Sequence, residues 1–133
     1  MVSVRTVFGV VFSIIGLILL LYAGFNFNYL FFIQEMSTES DIPAYWRSVA
    51  APAFLALLLL LDGSFVLGLN RAFSLSVHAM GNFVWLLALL LLDRNLAMST
   101  TALSAYQLIF YLVLVGVVLF VVGTIANGIP QRK

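Results

Sequence analysis

The chain has 133 residues, 64% of them hydrophobic and 8% charged, with a formal net charge of +1 and no cysteine. A soluble domain carries roughly 25% charged residues, so this surface does not face water, and a mean hydropathy of +1.17 marks an integral membrane protein. The small net charge leaves no basic face for nucleic acid, and the lack of cysteine excludes disulfides, thiolate metal sites, iron–sulfur ligation and palmitoylation.

A helix needs about 20 apolar residues to cross the hydrocarbon. Four segments qualify: residues 7–27, 49–69, 73–92 and 103–125. They should be helices, because backbone polar groups in lipid must be satisfied within the segment, and runs such as "LALLLLL" lack the alternation of barrel strands. The expected fold is therefore all-α: an integral membrane four-helix bundle of antiparallel spans with short loops. It forms a single transmembrane domain over residues 1–133, with no linker and no convincing internal repeat.

The first span follows Arg5. Its apolar run is longer than that of a cleaved signal, and "LYAG" at 21–24 places Leu21 where a cleavage site needs a small residue, so it is expected to remain as a span. Gly9, Ser13, Gly16 and Ala23, spaced 4, 3 and 7, form one stripe suited to close helix packing. The stretch "FNFNYLFFI" at 25–33 should lie at the outer boundary, with Asn26 and Asn28 reaching water between interfacial aromatics. A ligand site lined by those asparagines is the other reading. Residues 34–48 make the longest and most polar connection. Its Glu35, Glu39 and Asp41 read as a solvated loop rather than a cation site, and Tyr45 and Trp46 as interface anchors before the second span.

The second span contains "LLLLLDGS" at 57–64. A carboxylate in a membrane helix costs roughly 2.5–3.5 kcal/mol on insertion scales. Counted back from Asn70, Asp62 lies roughly 12 Å inside the membrane, too far for so short a side chain to reach water. Folding the second and third spans back at "NRAF" (70–73) puts Asp62 level with His78, the only histidine, and Ser64 level with Ser76. Ser74, His78, Asn82 and Trp85, spaced 4, 4 and 3, share one face of the third span. Val77 and Val84 are expected on the opposite face. Asp62 and His78 thus suggest a buried polar pair, either a structural hydrogen bond between helices or a working proton or ligand site. A turn at "DGS" is the alternative, but it leaves only about 13 apolar residues, too few to span. Ser64 and Gly68 add a small-xxx-small pair.

In "DRNLAMSTT" at 93–101, Ser99 to Thr101 suit the cap of the fourth helix. That helix carries Gly116 and Gly123, again seven apart, and Asn127-Gly128 followed by Pro130 should stop it. Arg5, Arg71, Arg132 and Lys133 fall on one side of the membrane and Arg47 and Arg94 on the other, which places both termini in the cytoplasm of a plasma (inner) membrane.

Most chemistry lacks its parts. One histidine cannot make a bis-histidine haem site, although it could be a single axial ligand to a haem or chlorophyll. A zinc site needs more nitrogen or sulfur ligands. "GSFVLG" lacks the lysine of a phosphate loop. No catalytic residue, cofactor or metal is expected. Two functions remain. One is a non-enzymatic protein acting by association in the bilayer, as an accessory, assembly or regulatory subunit or a homo-oligomer. The other is a small oligomeric transporter or channel using Asp62 and His78. The outer halves of the second and third spans are nearly all leucine and alanine, which leaves no continuous polar route and ranks transport second.

Overall fold

The computed structural model describes residues 2–30 and 42–129. Glu35, Glu39 and Asp41 lie outside the described residues. The fold is all-α: α1 (Val4–Asn28), α2 (Ile42–Leu67), α3 (Ala72–Ala97) and α4 (Leu103–Gly128), each long and apolar enough to cross a membrane. At 25 or 26 residues each is roughly 38 Å long, more than the ~30 Å hydrocarbon core, so helix ends reach the headgroup region.

The boundaries differ from the sequence expectation in three places. First, α2 begins at Ile42, so Tyr45 and Trp46 lie inside the helix rather than before it, and Trp46 is buried. Pro43, second in the helix, needs no N–H there. Second, α2 runs unbroken through Asp62, Gly63 and Ser64, as its span length required, but ends at Leu67 rather than at residue 69. Third, α3 continues past residue 92 to Ala97, with Arg94 in its last turn where a cation complements the helix dipole. Ser99 closes α3 instead of opening α4. It takes a left-handed φ of 52°, while its N–H donates to Leu96 O and that of Thr100 to Asn95 O. These two bonds are a Schellman motif. α4 starts from Ala102 with no side-chain cap.

Backbone contacts divide the chain into residues 1–67 and 68–133. Each unit is an antiparallel helical hairpin, α1 with α2 in the first and α3 with α4 in the second. Lipid tails are as apolar as leucine, so the helices are held by close packing rather than by leucine burial. The buried faces repeat every seven residues: Gly9, Gly16 and Ala23 on α1; Val49, Ala56 and Gly63 on α2; Ser74, Gly81 and Ala88 on α3; Ile109, Gly116 and Gly123 on α4. Nearly all are glycine, alanine or serine, and a seven-residue period winds a helix pair into a left-handed supercoil. In the first hairpin a Cβ added to Gly63 would lie 2.8 Å from Gly9 O, and one added to Gly9 would lie 3.1 Å from Gly63 O. A Cβ on Gly16 would lie 3.0 Å from Ala56 O. Backbone thus meets backbone, a spacing at which Cα–H groups face carbonyl oxygens.

The first hairpin also repairs a defect in α2. Pro52 has no N–H, so it cannot bond the carbonyl one turn back, that of Ser48. The turn before it, Trp46–Ala50, widens to π-helical, a common local adjustment in membrane helices. Asn26 of α1 then donates its Nδ2 to Ser48 O at 3.0 Å. Asn26 is part-buried in this bond rather than directed to water. If it stands in for the missing N–H, Asn26→Leu should cost about 1–3 kcal/mol with Pro52 present and far less beside Pro52→Ala. Unfolding resistance in detergent across the four variants measures the coupling; additive losses would separate Asn26 from the proline.

Candidate functional site

The second hairpin gathers most of the polar and aromatic candidates. Ser74 and His78 are buried on α3, at 0% and 3% exposure. They lie one turn apart, on the face that meets Gly123, where an added Cβ would come within 3.3 Å of Ser74 O and 3.4 Å of His78 N. The Ser74 hydroxyl has no hydrogen-bond partner among the described residues. Asn82 is half-buried and turns its Nδ2 back to His78 O at 3.2 Å. Val77, expected on the lipid side, is buried. It is three residues from Ser74 and four from Gly81, which places it within the same helical stripe.

Phe120 of α4 organises this seam. Its ring lies between His78 (centroids 4.8 Å apart, tilted 59°) and Trp85 (4.8 Å, edge-on at 81°), arrangements that aromatic quadrupoles favour. His78 and Trp85 are two turns apart on α3, and Gly81 lies between them. A Cβ on Gly81 would be 3.0 Å from the Phe120 ring, so the glycine lets that ring lie on the α3 backbone. Trp85 repeats the arrangement in reverse. Its indole lies over Gly116, and its Nε1 donates to Val113 O at 3.0 Å, which satisfies an N–H that lipid cannot.

The remaining candidates fall in or beside the first hairpin. Asp62 is half-buried on α2, next to Gly63. The helix ends at Leu67, so Asp62 is roughly 8 Å from the helix end, shallower than the count from Asn70 implied. Ser64 is exposed and bonds Leu61 O in its own helix. Gly63 rather than Ser64 makes the close approach on α2 and also adjoins Ser13, whose hydroxyl donates to Gly9 O at 2.8 Å. Gly68 lies in the α2–α3 loop, where its carbonyl accepts from Asn127 Nδ2 at 2.9 Å. Asp62 and His78 belong to different hairpins.

At one end of the second hairpin, Asn127 closes a clamp that the sequence did not signal. Its Oδ1 accepts from the backbone N–H of Asn70 (2.7 Å) and of Arg71 (3.3 Å). Asn70 Nδ2 donates to Asn127 O at 3.4 Å, and Arg71 Nη2 donates to Ile129 O at 2.9 Å. The guanidinium thus sits at the carbonyl end of α4, where the helix dipole favours a cation. Gly63, Gly81, Phe120 and Asn127 were missed, although the spacings 49/56/63 and 74/81/88 carry the same seven-residue signal seen on the first and fourth spans.

Four membrane-length helices in two close-packed hairpins define a small multi-pass integral membrane protein, in contact with the lipid bilayer along its apolar faces. No protein-family profile, curated protein or solved structure matches the chain.

Two glycines separate packing from mere composition. A Cβ on Gly116 would overlap the Trp85 indole, whereas one on Gly24 meets nothing within 4 Å. Gly116→Ala should destabilise by about 1–3 kcal/mol, the range for overpacking, and should shift Trp85 fluorescence. Gly24→Ala should leave both unchanged. Equal effects would mean that the glycine seam does not set the approach of α3 and α4.

Proposed function

We propose that the chain works by association within the membrane, as an accessory, assembly or regulatory subunit or as a homo-oligomer, and performs no chemistry of its own. One observation supports this most. Polar side chains within the spans turn onto backbone carbonyls of their own hairpin: Ser13 to Gly9, Asn26 to Ser48, Ser64 to Leu61, Asn82 to His78 and Trp85 to Val113. Asn26 and Trp85 thereby fasten neighbouring helices, while Ser13, Ser64 and Asn82 are satisfied within their own helix; groups used in these ways do not line a path. The seven-residue seams also engage α1 with α2 and α3 with α4, so a partner would meet other, apolar faces of the spans. Cross-linking and mass measurement in mild detergent should show a species larger than the 14.7 kDa chain. A lone monomer at every concentration, with nothing co-purifying, would overturn the proposal.

The charge distribution supports cytoplasmic placement of both termini, in what we take to be a plasma (inner) membrane. A reporter fused after Lys133 should then read as cytoplasmic; an external reading reverses the assignment.

The second reading is a small oligomeric transporter or channel. It draws on the burial of Ser74 and His78 and on the sequence register that puts Asp62 level with His78. On that register the two hairpins act as one transmembrane domain, with Asp62, His78, Asn82, Ser74 and Ser64 as its polar site. Asp62→Leu and His78→Leu should each cost roughly 1–3 kcal/mol, and the double variant less than their sum. Additive losses would mean no direct interaction. A stable double variant without biological activity would favour transport over association.

A further inference from the structure

We propose that Asn127 is a deamidation site, and that its conversion releases the clamp between the α2–α3 loop and the end of α4 irreversibly. Of the six asparagines, Asn127 alone precedes a glycine; the others precede Phe27, Tyr29, Arg71, Phe83 and Leu96. Glycine presents no side chain to obstruct attack by its own nitrogen. In the reaction the Gly128 nitrogen loses its proton and bonds to Asn127 Cγ. The Cγ–Nδ2 bond breaks, and ammonia leaves with that proton. Water then opens the resulting succinimide at either carbonyl, giving aspartate or, predominantly, isoaspartate. The net change is amide plus water to acid plus ammonia, and no other reactant is required.

The surroundings of Asn127 act on this reaction in two opposed ways. Two backbone N–H groups, those of Asn70 and Arg71, point at Oδ1, the oxygen that gains negative charge when Cγ is attacked. Donors placed at a developing oxyanion lower the barrier. The helical backbone opposes them. α4 extends to Gly128, and helical geometry keeps the Gly128 nitrogen from reaching Cγ. The clamped molecule is therefore activated but restrained, and it reacts when the last turn of α4 frays. Helix ends open at low cost, and Gly128 is exposed to the water that completes the reaction.

Conversion removes what the clamp requires. Nδ2 donates to Gly68 O at 2.9 Å, and both products lose that donor: aspartate carries a carboxylate in place of the amide, and in isoaspartate Cγ becomes the peptide carbonyl bonded to the Gly128 nitrogen. Isoaspartate also reroutes the main chain through the former side chain, so the Asn127 carbonyl that accepts from Asn70 Nδ2 is displaced. Arg71, bonded to Ile129 O just beyond, loses the position of its acceptor. The freed end is the one that leads into the basic tail carrying Arg132 and Lys133.

The test uses the full chain in mild detergent, held at mildly alkaline pH in ¹⁸O-water and followed by peptide mass mapping. Asn127 should incorporate the label ahead of the other five asparagines. The folded chain should convert several-fold more slowly than the chain unfolded in SDS. Gly128→Ala is a clean control, because a Cβ there meets nothing within 4 Å and the clamp is left intact. It should suppress conversion. In aged wild-type protein, hydrogen exchange at the Asn70 and Arg71 amides should rise relative to fresh protein, and in aged Gly128→Ala it should not. Persistence of the Asn127 amide in the folded chain after the unfolded chain has converted would overturn the site. Conversion with unchanged exchange at Asn70 and Arg71 would overturn the release.

Discussion

The approach of one helix backbone to another at seven-residue intervals is the constraint on which the rest of this structure depends. Lipid does not squeeze apolar helices together, so each hairpin gains its cohesion from contacts that only small residues permit. Gly9 against Gly63 and Gly123 against Ser74 are such contacts. Where one strand of the seam supplies bulk, the other supplies a glycine to receive it: Phe120 over Gly81, Trp85 over Gly116. The glycines provide space, not flexibility; none of those described takes a positive φ.

Close approach brings a second consequence. Backbone groups left without partners in lipid are costly, and neighbouring helices are near enough to supply the missing donor or acceptor. Asn26 reaches Ser48 O across the first hairpin because α1 and α2 are tightly apposed there. The second hairpin shows the same principle at its end, where Asn127 serves two N–H groups and one carbonyl of the loop entering α3. Arg71, the N-cap residue of α3, makes no side-chain capping bond, and Asn127 accepts from its N–H and from that of Asn70.

The four spans were legible in the sequence because membrane thickness imposes a length that composition alone reveals. The stripe of Gly9, Gly16 and Ala23 was legible for a related reason, since small residues in an apolar run have little other use. The helix ends were less so. Polarity suggested that Asp93 and Arg94 belong to a loop, whereas α3 continues through both to Ala97, with Arg94 complementing the dipole at its carbonyl end. Ser99 resembled a cap for α4, yet it takes a left-handed conformation that glycine more often fills. Phe120 was indistinguishable from a lipid-facing phenylalanine, because only its opposition to Gly81 marks it out and that opposition depends on the register of two helices. Asn127 resembled a simple helix stop; its long-range bonds follow from loop geometry that no local pattern encodes.

A seam of small residues repeating every seventh position is degenerate: sliding one helix by a repeat, about 10 Å, brings glycine opposite alanine or serine again. Such a pair is a ratchet with several equivalent notches. The turn at Ser99 and the clamp at Asn127 act at opposite ends of the second hairpin, and each fits only one notch. Their role is therefore informational as much as cohesive: with Phe120 seated on Gly81 and Trp85 on Gly116, they select a single alignment from a set that the small residues by themselves cannot tell apart.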